Sequence, residues 1–175
     1  METMMARKRT VCLFLAFLCL LLPTSRSFGE DRYIAVTSDV VNVRAEPSIT
    51  SPIVAKAVRG DIFQVISEED DWYGIALFSG ESRYLYKPIT RMTAYETKLP
   101  KEKAAIKRIY WEVVLVEIRA LDEAAATCSG EVGECVRLEQ LLRDKYTLQL
   151  FHKFGLQPPC YHRLIIEAAK DGISP

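Results

Sequence analysis

The stretch VVNVRAEPSITSPIVAKAVRGDIFQVISEEDDWYGIALF, residues 40–78, decides the fold of this chain. It breaks into short β-favouring runs at 40–44 (VVNVR), 53–58 (IVAKAV), 62–66 (IFQVI) and 72–78 (WYGIALF). Each run is bounded by turn chemistry: a polar, proline-flanked loop at 45–52, Arg59-Gly60-Asp61, and the acidic Glu68-Glu69-Asp70-Asp71. Working outward, residues 33–37 (YIAVT) add a run before Ser38-Asp39, and Ser79-Gly80-Glu81 turns into 83–86 (RYLY). Five or six short strands over about 60 residues, separated by turn signals, predict a small β-barrel.

Beyond Leu99 the period changes. Apolar residues at Ile106, Ile109, Tyr110, Val113, Val114, Val116 and Leu121 recur at spacings of three and four, which predicts a helix over 101–127. Pro100 suits its first turn, and Gly130 suits a left-handed C-terminal position after Ser129. A second helix is expected over 132–154, ending at Gly155. A third, shorter one begins after Pro158-Pro159 and ends before Gly172. The fold class is therefore α+β, with a small barrel followed by a helical hairpin and a third short helix. Each half is small for a self-sufficient core, so the helices are expected to pack on one another and on the barrel.

The amino terminus has the pattern of an export signal. Arg7, Lys8 and Arg9 precede an apolar run at 11–22, then Pro23 and the small residues Ser25 and Ser27. Twelve apolar residues fall short of the roughly 20 that a membrane-spanning helix needs. A signal peptide over 1–27, cut after Ser27, is expected, with an uncleaved anchor as the alternative. The organisation is then 1–27 signal, 28–95 barrel and 96–175 helical region, in a protein that is exported and either periplasmic or secreted. Residues 1–27 hold four of the chain's 23 basic side chains and one of its 23 acidic ones. The remainder carries 19 basic and 22 acidic groups, a net of −3, without a basic run. That argues against nucleic acid as a partner and against an electrostatic grip on anionic lipid; any membrane contact is expected only through an uncleaved signal. Hydrophobic and charged contents of 49% and 26% are those of a folded domain rather than a disordered one.

The strand half resembles the bacterial SH3 family over roughly residues 33–93. Asn42-Val43-Arg44 followed by Pro47-Ser48 stands at the family's N-V-R-x-x-P-S stretch. Arg59-Gly60-Asp61 stands at its K-G-D/T turn, and Trp72-Tyr73 at its W-Y strand. The closing strand departs from the family pattern, reading Arg83-Tyr84-Leu85-Tyr86-Lys87-Pro88. The resemblance implies an SH3-like barrel and a binding or targeting role in the cell envelope, often towards peptidoglycan.

Candidate ligand contacts are the barrel aromatics Trp72, Tyr73, Tyr84 and Tyr86, with Arg44 of the matched motif. Flat rings stack on sugar or proline, and hydroxyls fix orientation. Alternation sends one of Trp72 and Tyr73 inward and the other outward, and an inward ring is simply core. The acidic run 68–71 is more simply a solvated turn than a cation site, and Arg59-Gly60-Asp61 more simply a turn than an adhesion motif. Cys128, Cys135 and Cys160 lie beyond the signal. Cys128 closes the first helix and Cys135 opens the second, whereas Cys160 lies roughly 30 Å away along that helix at 1.5 Å per residue. Since a disulfide needs its Cα atoms within about 7 Å, the expected pair is Cys128–Cys135, with Cys135–Cys160 next and Cys160 otherwise free or buried. Cys160, His162 and His152 offer thiol and imidazole, but no partner acid or oxyanion turn accompanies them. C-x-x-C zinc spacing is absent as well.

The reading is a binding module without catalytic residues, cofactor or metal, whose partner is a cell-wall polymer or an envelope protein. An alternative is an interaction or assembly protein. There the apolar stretch at 110–118 (YWEVVLVEI) docks a partner or a second copy as a homo-oligomer.

Overall fold

Period-two burial along the first half builds a single antiparallel sheet of seven strands. These are β1 (Arg32–Val36), β2 (Val40–Arg44), β3 (Ile53–Val58), β4 (Ile62–Glu69), β5 (Trp72–Ala76), β6 (Ser82–Tyr86) and β7 (Thr90–Thr93). The computed structural model describes residues 31–172; the export signal expected over 1–27 lies outside them. The strand order is β3-β2-β6-β5-β4-β1-β7. Ile34 of β1 sits opposite Phe63 of β4 on one side and Met92 of β7 on the other. Ile34, Val43, Phe63, Ile75 and Leu85 are completely buried inside the sheet.

Two details differ from expectation. β7 was not foreseen, because TRMT carries no apolar alternation and follows a single 3-10 turn at Lys87–Ile89. It is an edge strand held by its pairing to β1 rather than by burial of its own side chains. β5 ends at Ala76, and Leu77 and Phe78 leave the sheet although both are buried. Phe78 is covered by the helices.

Those helices are α1 (Lys103–Thr127), α2 (Val132–Phe154) and α3 (Cys160–Lys170). Pro100 lies before the first turn of α1, whose N-cap is Glu102. Nor does Gly130 cap α1 in a left-handed conformation. The helix ends at Cys128, whose backbone is extended (φ −82°, ψ 120°), and the Cys128–Cys135 disulfide ties that end to the first turn of α2. With the loop closed covalently, no left-handed cap is needed there. Gly155, by contrast, is left-handed at φ +65°. Its N–H donates to the His152 carbonyl, and the Leu156 N–H to that of Phe151, the paired bonds of a Schellman motif, with buried Leu156 and Phe151 as its apolar contact.

Barrel and helices share one core. Ile106, Ile109 and Val113 of α1, Leu148 and Phe151 of α2, and Leu164 of α3 join the apolar interior of the sheet in one continuous cluster. Phe78 is the joint: its ring lies edge-on to Phe151 at 4.9 Å and to Tyr161 at 5.2 Å between centroids. Beside it the Asp144 carboxylate, completely buried on α2, accepts from the backbone N–H groups of Phe78 and Ser79, the Ser79 hydroxyl and Arg83 Nε. The described residues, 31–172, accordingly form one compact unit.

Candidate functional site

The antiparallel register sorts the candidate aromatics onto two faces. Tyr73 lies opposite Leu85, and Ile75 opposite Arg83, so these four share the interior side. Trp72 lies opposite Tyr86, and Gly74 opposite Tyr84, on the outer side. Arg44 pairs with Tyr84 across β2 and β6 and continues that outer row. Trp72, Tyr84, Tyr86 and Arg44 are therefore brought together, whereas Tyr73 is turned inward, packed against the core with Lys87 Nζ 5.2 Å from its ring centroid.

Within the outer cluster the roles divide. Trp72 is only 8% exposed despite its outward direction, because the Tyr86 ring leans on it at 5.5 Å with a 57° tilt. Tyr86 is 38% exposed and presents the ring most open to solvent. Tyr84 is half-buried, and its hydroxyl donates to Glu69 Oε1 at 3.1 Å. Partial burial, and then that bond to the Glu69 carboxylate, raise its pKa above the ordinary tyrosine value. Gly74, opposite Tyr84, makes room for β4: a Cβ there would collide with the Ser67 side chain. Arg44 stands at a register shift in β2 and donates to the Ser51 carbonyl at 2.6 Å. It thereby pins the 45–52 loop beside the aromatics. The result is a shallow outer surface of rings rimmed by one cation and one carboxylate, chemistry suited to stacking plus hydrogen bonding.

Elsewhere the other motifs resolve into structure. The Asp61 carboxylate of Arg59-Gly60-Asp61 is buried, accepts from the Val58 N–H and meets His152 Nε2 at 2.9 Å. It is committed to the turn and to α2, not to an external receptor. The acidic run is split among different partners. Glu68 pairs with Arg32 and Lys87, which hold its pKa below the usual carboxylate value, while Glu69 takes Tyr84. Asp70 has φ +42° at the tip of the tight turn. Cys160 is a buried free thiol touching the Tyr95 hydroxyl and the Lys98 carbonyl. Its neighbours are thus neither His152, engaged with Asp61, nor the exposed His162.

Two participants escaped the sequence reading. Glu69 was counted only as part of an acidic turn; its place beside Tyr84 follows from the β4–β5–β6 register. Asp144 had a legible signal, a lone acid among Leu141, Leu142, Leu148 and Phe151 on the apolar side of α2.

Comparison of the chain with curated proteins gives no match. Among family models, that of the bacterial SH3 domain matches residues 39–88, which run from the start of β2 to the 3-10 turn and include Trp72, Tyr84 and Tyr86. Residues 39–88 thus match the bacterial SH3 domain model and lie within the antiparallel sheet just described, whose interior is completed by the chain's own three helices.

Proposed function

We propose that this protein is an exported, non-catalytic binding module of the cell envelope, and that the outer face of its SH3 barrel recognises peptidoglycan. The observation that carries the reading is the outer cluster itself: Trp72, Tyr84 and Tyr86 side by side, rimmed by Arg44 and Glu69. Rings of this kind stack on the apolar faces of sugars, while a guanidinium and a carboxylate address the peptide carboxylates and amides of wall material. Export is supported by the basic-then-apolar pattern of residues 7–27 and by the Cys128–Cys135 disulfide, which fits an oxidising compartment. Among the described residues, no helix is long and apolar enough to cross a membrane.

Co-sedimentation with purified sacculi tests this. The wild type is expected to pellet. Tyr86→Ala, which removes the most exposed ring, is expected to weaken binding by about 2 kcal/mol, roughly thirtyfold, with its circular dichroism unchanged. Failure of the folded wild type to pellet would remove the wall reading and direct the search to envelope proteins.

A further inference from the structure

Helix α1 carries two apolar faces, and the fold uses only one of them. Ile106, Ile109, Val113, Ala120 and Ala124 are buried against α2, α3 and the sheet. On the opposite side Trp111, Leu115, Ile118 and Leu121 are 39%, 60%, 51% and 59% exposed. At 100° per residue Trp111, Val114, Leu115, Ile118, Leu121 and Ala125 form one stripe along the helix. An apolar strip of this length, with a 39% exposed tryptophan in it, marks an interaction surface.

The charges on the stripe identify its occupant. Lys107 lies at its amino-terminal end and Asp122 at its carboxyl-terminal end; both are exposed, and neither has an ion-pair partner among the described residues. They are 15 residues apart, about 22 Å along the axis. We propose that a second copy of this chain covers the stripe, the two α1 helices lying antiparallel about a twofold axis near Val114 and Leu115. In that register Lys107 of each copy faces Asp122 of the other, Trp111 faces Ile118, and Val114 faces Leu115. A twofold contact must be self-complementary, and this pattern is; a parallel pairing would set Lys107 against Lys107 and Asp122 against Asp122. The receiving surface is also shaped. Ile118 and Val114 border a groove of about 440 Å³ that continues to Ile165 and the exposed Ile166 of α3, room for a partner's indole. A membrane surface fits less well, because the exposed Asp122 carboxylate stands on the stripe and interfacial helices are rich in Lys and Arg. The pairing is independent of what the barrel binds, and it would present two barrels to a repetitive polymer.

Sedimentation velocity of residues 31–175, which hold the whole shared core, tests the pairing from low micromolar to several hundred micromolar concentration. A monomer–dimer equilibrium is expected. Leu115→Glu should weaken it at least thirtyfold, and Lys107→Glu about fivefold. Adding Asp122→Lys to Lys107→Glu should restore it. All three positions are exposed, and circular dichroism checks that each variant folds. A monomer at every concentration overturns the proposal, as does a dimer indifferent to Leu115→Glu or a double reversal no tighter than the single one. A monomer that floats with phosphatidylglycerol vesicles overturns it in favour of a membrane surface.

Discussion

Asp144 illustrates how one side chain can join two halves of a chain. Its carboxylate is completely buried and accepts four hydrogen bonds, one of them from an arginine whose side chain is 7% exposed. Removing the carboxylate leaves Arg83 charged and unpaired in the interior, and leaves two backbone donors without acceptors. Asp144→Ala is therefore expected to cost about 3–5 kcal/mol of stability, measured as a lower urea midpoint. Trp72 and Tyr86 make the opposite point at the same scale. Both face outward, but only Tyr86 is open to solvent, and its removal uncovers Trp72 without opening the interior of the sheet, so it is the better probe of binding. The aromatic composition of β5 and β6 was legible in the sequence. Which ring is cover and which is floor was not, because that depends on the cross-strand register.

At the scale of elements, the three helices meet in a small polar cluster. The Tyr161 hydroxyl of α3 donates to Glu117 Oε1 of α1 at 2.7 Å and accepts from Arg143 of α2 at 3.1 Å. Burial first, and then the bond to Glu117, push the Tyr161 pKa up to about 12 from its ordinary 10.0. The folded state thus holds this proton more tightly than the unfolded chain does. Its contribution to stability is fully present below pH 10 and is lost as the pH rises towards 12. Tyr161→Phe, which cannot ionise, is expected to flatten the fall in urea midpoint across that window. Helix positions and ends were largely readable from period and punctuation: Gly155 ends α2 as its place predicts. Gly130 does not end α1, because a disulfide performs that closure. The short β7 was invisible, since an edge strand held by a neighbour's backbone needs no apolar pattern of its own.

For the whole molecule, the continuous core from Phe63 and Ile75 through Phe78 to Phe151 and Leu164 implies that barrel and helices unfold together. The chain provides its own reporters, with one of its two tryptophans, Trp72, in the barrel and the other, Trp111, on α1. Versions retaining one tryptophan, Trp72→Phe and Trp111→Phe, are expected each to show a single urea transition, with the midpoint read from fluorescence agreeing with that from circular dichroism. A barrel that melts separately from the helices would contradict the shared core. Such coupling also means that a partner seated on α1 would hold the barrels in a defined relation rather than on a loose tether.

The sequence by itself determined the class of structure. Turn residues at short intervals and period-two runs specify a small barrel, threefold and fourfold spacings specify three helices, and the motifs around Asn42, Gly60 and Trp72 specify which barrel. These are local signals, written in neighbouring residues. Tertiary structure alone decided which side chains join the two halves into one core, that Asp61 and Asp144 are interior acceptors, that Trp72, Tyr84, Tyr86 and Arg44 share a surface while Tyr73 turns inward, and which apolar residues of α1 remain outside. The reason is physical: burial and partnership are set by what packs against a side chain from far along the chain, and neither composition nor spacing carries that information.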